Sequence, residues 1–277
     1  MTNNVKLSLA AFLIAGAAIL FWTLNKATTA LLISNARAVH INEKIYAIYL
    51  NMENTGGPDI ITAVAAKDAE RAFVMGITPN SAIAIPKGSK PSFASDGAHI
   101  MVVHKSSGLK NGEFIPMTLS LAKAGNVRVK AFIQDPPSED AMKMSMSDDD
   151  GKMDHSAMDH SIYGNMGVME IASGLDAPKI EMSVARNEKN DWLIEITTDN
   201  FEFFEPVTEP LVHKDGQGHG HLYLNGLKLQ RMFSQEAELG ALPPGKHVIS
   251  VTLNTNDHKA YSIDGSPVSA SAEIVVE

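Results

Sequence analysis

From residue 31 onward the apolar residues recur at every second position in short runs rich in Val, Ile and aromatic side chains. A run of that period presents one apolar and one polar face as an extended strand, and no such stripe forms on a helix. Strands are expected at Tyr46 to Met52, Ile60 to Val64, Ala82 to Ile85, His99 to Val103, Met117 to Leu121 and Val127 to Ile133, with a first strand upstream around Ala36 and Ala38. A second series covers Lys179 to Arg186, Trp192 to Thr198, His221 to Asn225, Leu227 to Phe233, His247 to Asn254 and Ser269 to Val276. Turn formers punctuate both series, among them Asn54-Thr55-Gly56-Gly57-Pro58, Ser95-Asp96-Gly97, the hairpin signal Asn225-Gly226 and Pro243-Pro244-Gly245. The expectation is an all-β chain with two β-sandwich domains, the second of immunoglobulin-like size.

The 277 residues suit two domains plus connecting chain, which divides as 1–30, 31–134, 135–178 and 179–277. Leu7 to Leu24 is uncharged and almost wholly apolar, with Lys6 before it and Lys26 after it. Its length lies between a signal-peptide core and a comfortable membrane span, so an anchor through residues 7–24 and a cleaved signal ending near Thr28 and Ala30 both stand. Either one exports the rest of the chain, and the expected location is a bacterial periplasm with anchoring in the inner membrane. Acidic residues outnumber basic ones, 32 to 23, with no basic run, which excludes the electrostatic footprint of a nucleic-acid binder.

Cysteine is absent, so thiolate catalysis, disulfide scaffolding, blue-copper redox chemistry and cysteine-based zinc sites are all excluded. An exported chain without thiols that takes a soft metal must take it on methionine. Residues 135–178 carry Met142, Met144, Met146, Met153, Met158, Met166 and Met169 together with His155 and His160, half of the 14 methionines of the chain. The unit Met153-Asp154-His155-Ser156 repeats as Met158-Asp159-His160-Ser161. Thioether sulfur suits Cu(I), imidazole suits both copper oxidation states, and neighbouring carboxylates favour a cation, so this polar, flexible linker is expected to bind copper. The repeat is similar to the Met-Asp-His-Ser boxes of periplasmic copper-resistance proteins.

The first domain resembles a known family through ordered blocks: Tyr49-Leu50-Asn51-Met52-Glu53-Asn54-Thr55-Gly56-Gly57, Ile85-Pro86-Lys87-Gly88, His99-Ile100-Met101, Gly108-Leu109-Lys110, Ile115-Pro116-Met117-Thr118-Leu119 and Lys123-Ala124-Gly125. They look like the signature of the PCuAC-type periplasmic copper chaperones. The resemblance implies a cupredoxin-like Greek-key sandwich with a Cu(I) site, used to pass copper towards cytochrome oxidase or a related cuproenzyme or its assembly factor. His99 and Met101 carry over to the family's His-x-Met pair, and two residues apart on a strand they leave the same face. Where the family has its first histidine this chain reads Ala72-Phe73-Val74-Met75, so Met75 stands as a substitute ligand, with His104 and His40 as further candidates.

In the second domain the chemistry concentrates in Gly216-Gln217-Gly218-His219-Gly220-His221, where two histidines share a face and glycines permit close approach. Surface histidines in a glycine-rich turn and a second copper site both fit. His258, in Asn254-Thr255-Asn256-Asp257-His258, and His213 are the residues able to complete such a site. These blocks resemble a domain of exported bacterial proteins of poorly defined role. No nucleophile elbow, phosphate loop or dinucleotide fingerprint is present, so a non-enzymatic protein is expected. Copper delivery, copper sequestration and a metal-free adhesive role remain as alternatives.

Overall fold

The computed structural model describes residues 31–106, 108–134, 167–171, 176–205 and 213–277. The expected membrane segment Leu7 to Leu24 and the ligand candidates Met142, Met144, Met146, Met153, His155, Met158, His160 and Met166 lie outside the described residues. Among the described residues the chain is all-β, and no helix is long and apolar enough to cross a membrane.

The first half contains β1 (Leu31–His40), β2 (Ile45–Asn54), β3 (Asp59–Ala66), β4 (Ala69–Met75), β5 (Ile83–Ile85), β6 (Ser92–Phe93), β7 (His99–His104), β8 (Phe114–Leu121) and β9 (Gly125–Gln134). Hydrogen bonding runs β4-β7-β2-β1-β9-β8-β3-β5, antiparallel except where β1 and β9 lie parallel. The sheet rolls over a core in which alternate residues meet, among them Ile48, Leu50, Ile100, Val102, Ile115, Leu119 and Ile133. β4 was not expected from the sequence. Among the described residues it pairs with β7 alone, and an edge strand with exposed Glu70 and Arg71 shows little of the two-residue period.

The second half contains β10 (Val168–Glu170), β11 (Lys179–Arg186), β12 (Trp192–Asp199), β13 (Glu202–Phe203), β14 (Gln217–Leu224), β15 (Leu227–Met232), β16 (Glu236–Leu239), β17 (Gly245–Thr255), β18 (Ala260–Ile263), β19 (Ser266–Pro267) and β20 (Ser269–Val276). β11, β12 and β16 form a separate sheet. Its Trp192, Ile194 and Ile196 share a core with Leu222, Leu224, Leu229, Ile249 and Val251 of β14, β15 and β17. Met169, expected in open linker, instead sits on β10 beside Tyr261, packed against Leu253, Tyr261 and Val268.

The two halves bond directly to each other. β6 pairs with β2 of its own half and, through Ser92 and Lys228, with β15 of the other. The Asn225-Gly226 hairpin, with φ of 53° and 89°, is the primed turn its sequence signals. Its tip enters the first half, where Thr78 N–H donates to Asn225 O and Ala98 N–H to Gly226 O, each at 2.9 Å, and Asn225 Nδ2 donates to Ala82 O at 2.8 Å. Only glycine fits at 226, because a Cβ there would lie 2.0 Å from Gly76 O. The cores interlock as well: Leu227 packs into the first and Ala84 into the second.

Candidate metal centre

β14 is hydrogen-bonded on both sides, to β15 and β17, and every residue of it is buried. Alternation sends Leu222 and Leu224 into the second core and His219, His221 and Tyr223 to the opposite face, towards the first half. The two histidines therefore do not belong to a surface turn. The strand begins at Gln217, earlier than its sequence suggests, because glycines at 218 and 220 weaken the apparent period. A Cβ on Gly218 would lie 1.8 Å from Asn254 O, so β14 and β17 approach this closely only with glycine there.

His258 reaches the same place from the turn after β17. Its backbone has φ of 69°, a sparsely populated conformation for a non-glycine residue and one that concentrates at functional sites. Bonds inside the turn hold it: His258 N–H donates to Thr255 O at 3.0 Å, the Thr255 hydroxyl donates to Asp257, and Asp257 pairs with Lys259 at 3.1 Å.

Nε2 of His219 lies 2.9 Å from Nε2 of His221 and 3.1 Å from Nδ1 of His258, and ligand atoms of all three lie within 4.8 Å of one another. Burial lowers the pKa of each. His219 falls to about 2, with the charges that would form on His221 and His258 adding to burial, and His221 falls to about 4 despite the carboxylate of Asp96. His258 also falls to about 4, through burial and then the nearby Arg231. At neutral pH three uncharged imidazoles thus point nitrogen atoms at one locus. Among the described residues Nδ1 of His219 is buried with no hydrogen-bond partner, and the polar contacts of this ring are those of its Nε2 with the other two histidines. Converging neutral nitrogens, with the His219 ring tilted against Phe233, suit a transition-metal ion chemically.

Asp96 comes from the first half, in the loop before β7. Its Oδ2 is 2.7 Å from Nδ1 of His221 and also takes the Lys228 ammonium and, at 3.3 Å, the Tyr223 hydroxyl. A carboxylate only accepts, so Nδ1 of His221 carries the proton and Nε2 keeps its lone pair for an ion. His221 and Lys228 hold the Asp96 carboxyl well below the usual range, outweighing burial. Burial lowers the Lys228 pKa, with Asp96 opposing. Neither Asp96 nor Lys228 carries a sequence signal that joins it to the histidines.

On the first half, Met75 and His99 are direct partners across β4 and β7, as are Phe73 and Met101. Met75, His99 and Met101 therefore share one half-buried face. The Nδ1–H of His99 donates to Gly97 O at 3.1 Å, leaving Nε2 free as a lone-pair donor. His104 does not join them: five residues from His99, it falls on the buried face of β7 with Ile100 and Val102, its ring against the Ser106 backbone. His213 also stays apart from the three-histidine locus and bonds Asp215 at 2.7 Å.

Residues 31–133 match the model of the LpqE-like lipoprotein family. Among solved structures, the apo PCuAC domain from PmoF1 is 28% identical, with a TM-score of 0.35, and the match covers 38% of this chain and 94% of that one. The copper-bound PCuAC domain from PmoF2 is 25% identical at the same TM-score, with 40% and 97% covered. No curated protein matches. The matched family segment is the one whose sequence blocks resemble the PCuAC-type chaperones, and it ends within β9, so the strand and the turn that bear the three histidines lie beyond it.

Proposed function

We propose that this protein is an exported, non-catalytic copper carrier with two chemically distinct sites. The observation that carries the proposal is the convergence of His219, His221 and His258, two buried imidazoles and a half-buried third whose ligand nitrogens lie within 4.8 Å of one another. Imidazole alone suits Cu(II) as well as Cu(I), whereas the thioethers of Met75 and Met101 beside His99 suit Cu(I). Zinc accepts three histidines too, but it gains nothing from the methionines of Met142 to Met169, which favour copper as the cargo. The similarity of residues 31–133 to an LpqE-like lipoprotein family supports export. Delivery to a periplasmic or membrane cuproenzyme is the role favoured, since a pair of defined sites suits handover better than bulk capacity. Sequestration is the second reading, favoured by the methionine-rich segment.

Copper titration of the purified protein against a competing chelator tests this. Two tight ions are expected, one lost in His219→Ala/His258→Ala and the other in His99→Ala/Met101→Ala, with further weak ions lost on deleting 142–166. Ready transfer of the tight ions to an acceptor supports delivery. Several weak, poorly exchanging ions support storage, and no retained copper refutes the proposal.

A further inference from the structure

The three-histidine locus has a cation built against it. Lys228 Nζ lies 3.1 Å from Nδ1 and 3.5 Å from Nε2 of His221, the second being the atom that faces the other imidazoles. Because Nδ1 of His221 is itself a donor to Asp96, the ammonium and the ring nitrogen do not bond each other; both point at Oδ2 of Asp96. Lys228 is buried, on β15 opposite Tyr223, and among the described residues its ammonium donates to Asp96. An aliphatic side chain would fill this position in the packing without opposing an ion. A buried ammonium a few ångströms from a cation site weakens that site in a medium that screens poorly.

Asp96 acts the other way. Its bond to Nδ1–H fixes the ring of His221 and makes Nε2 more basic, as a carboxylate behind a metal-ligating histidine does. It also supplies the negative charge that a cation seeks. With Lys228 beside it the pair is neutral, and the imidazoles are neutral, so an arriving ion meets oriented nitrogens without a net attracting charge.

We propose that the Asp96–Lys228 pair, at the junction of the two halves, sets how firmly the three-histidine centre holds its ion, with Asp96 as the positioning residue for His221 and Lys228 as the counterweight that permits release. This rests on the reading of the three histidines as a copper site. It also makes that site a property of the docked halves, since Asp96 and Lys228 stand 132 positions apart in the chain.

The test uses the full chain carrying His99→Ala and Met101→Ala, so that the three-histidine centre is observed separately from the His99 and Met101 face, with Cu(II) as probe and a chelator as competitor. Adding Lys228→Met is expected to tighten Cu(II) binding at least about tenfold and to slow loss of the ion to chelator. Adding Asp96→Asn is expected to weaken binding about 10- to 100-fold and to alter the Cu(II) EPR signal of the nitrogen-ligated ion. A tighter site is a result that mere structural support by Lys228 does not produce. Equal or weaker binding in a folded Lys228→Met protein overturns the proposal, as does unchanged affinity in Asp96→Asn. If Lys228→Met does not fold, Lys228→Gln removes the charge while keeping a donor, and the same tightening is required of it. Failure of the parent chain to bind Cu(II), with Lys228→Met also silent, instead refutes the copper reading of the histidines.

Discussion

Adding one methyl group at Gly218 should damage the proposed metal centre without altering any of its three histidines. The Cβ of Gly218→Ala would meet Asn254 O at 1.8 Å, Asn254 C at 2.9 Å and the Cα of Thr255 at 3.1 Å, all of them backbone. No rotamer change relieves such a contact, so β14 and β17 must part by more than about an ångström there to reach normal separation. The strain falls where His219 faces Asn254 and where β17 runs on into the turn that carries His258. Metal–imidazole bonds of about 2.0–2.1 Å tolerate only a few tenths of an ångström, so one of the three rings is lost as a ligand. Copper affinity should fall at least about tenfold. Overpacking and a broken ladder bond together should cost about 2–4 kcal/mol of stability. Chelator-competition titration and thermal unfolding measure the two effects. Gly220→Ala is the control, because its Cβ meets side chains and no backbone, those of Met232 and Val251 at 3.2 Å and Phe203 at 3.6 Å, and should cost less and spare binding. A Gly218→Ala protein with parental affinity and stability would refute the claim that close packing of these strands assembles the site.

Gly226→Ala should loosen the junction of the halves, since the residue has φ of 89° and its Cβ would lie 2.0 Å from Gly76 O. A loss of about 2–4 kcal/mol and a split urea transition are expected; one unshifted transition contradicts it. Stability of the metal-free protein should fall as pH drops below about 6.5, because the unfolded histidines take up protons that buried His219 and His221 and half-buried His258 refuse. Each excluded proton costs about 1.4 kcal/mol per pH unit, with a smaller share from half-buried His258. The loss levels off near pH 4 for His221 and His258 and continues to about 2 for His219. Asp96, whose pKa is lowered, adds a stabilisation present above about 3.8 and lost as pH falls under that value. Urea unfolding at pH 7, 6 and 5 that gives the same free energy throughout would show that the histidines are not buried neutral.

The all-β class was legible because a two-residue period is a local property, written into each strand by the need to bury one face. The same period put His219 and His221 on one side of a strand and His99 with Met101 on another, and Asn225-Gly226 announced its hairpin. Parity alone also separates His104 from His99, a distinction available in the sequence. Cysteine's absence and the methionine count pointed to copper before any fold was known. Tertiary structure decided the rest, because which faces meet depends on how sheets pack and not on any repeat along the chain. His258 joins His219 from 39 residues away through an irregular turn, and Asp96 arrives from the other half. Met169 left the linker for a strand because Leu253, Tyr261 and Val268 offered an apolar surface that its immediate neighbours could not predict.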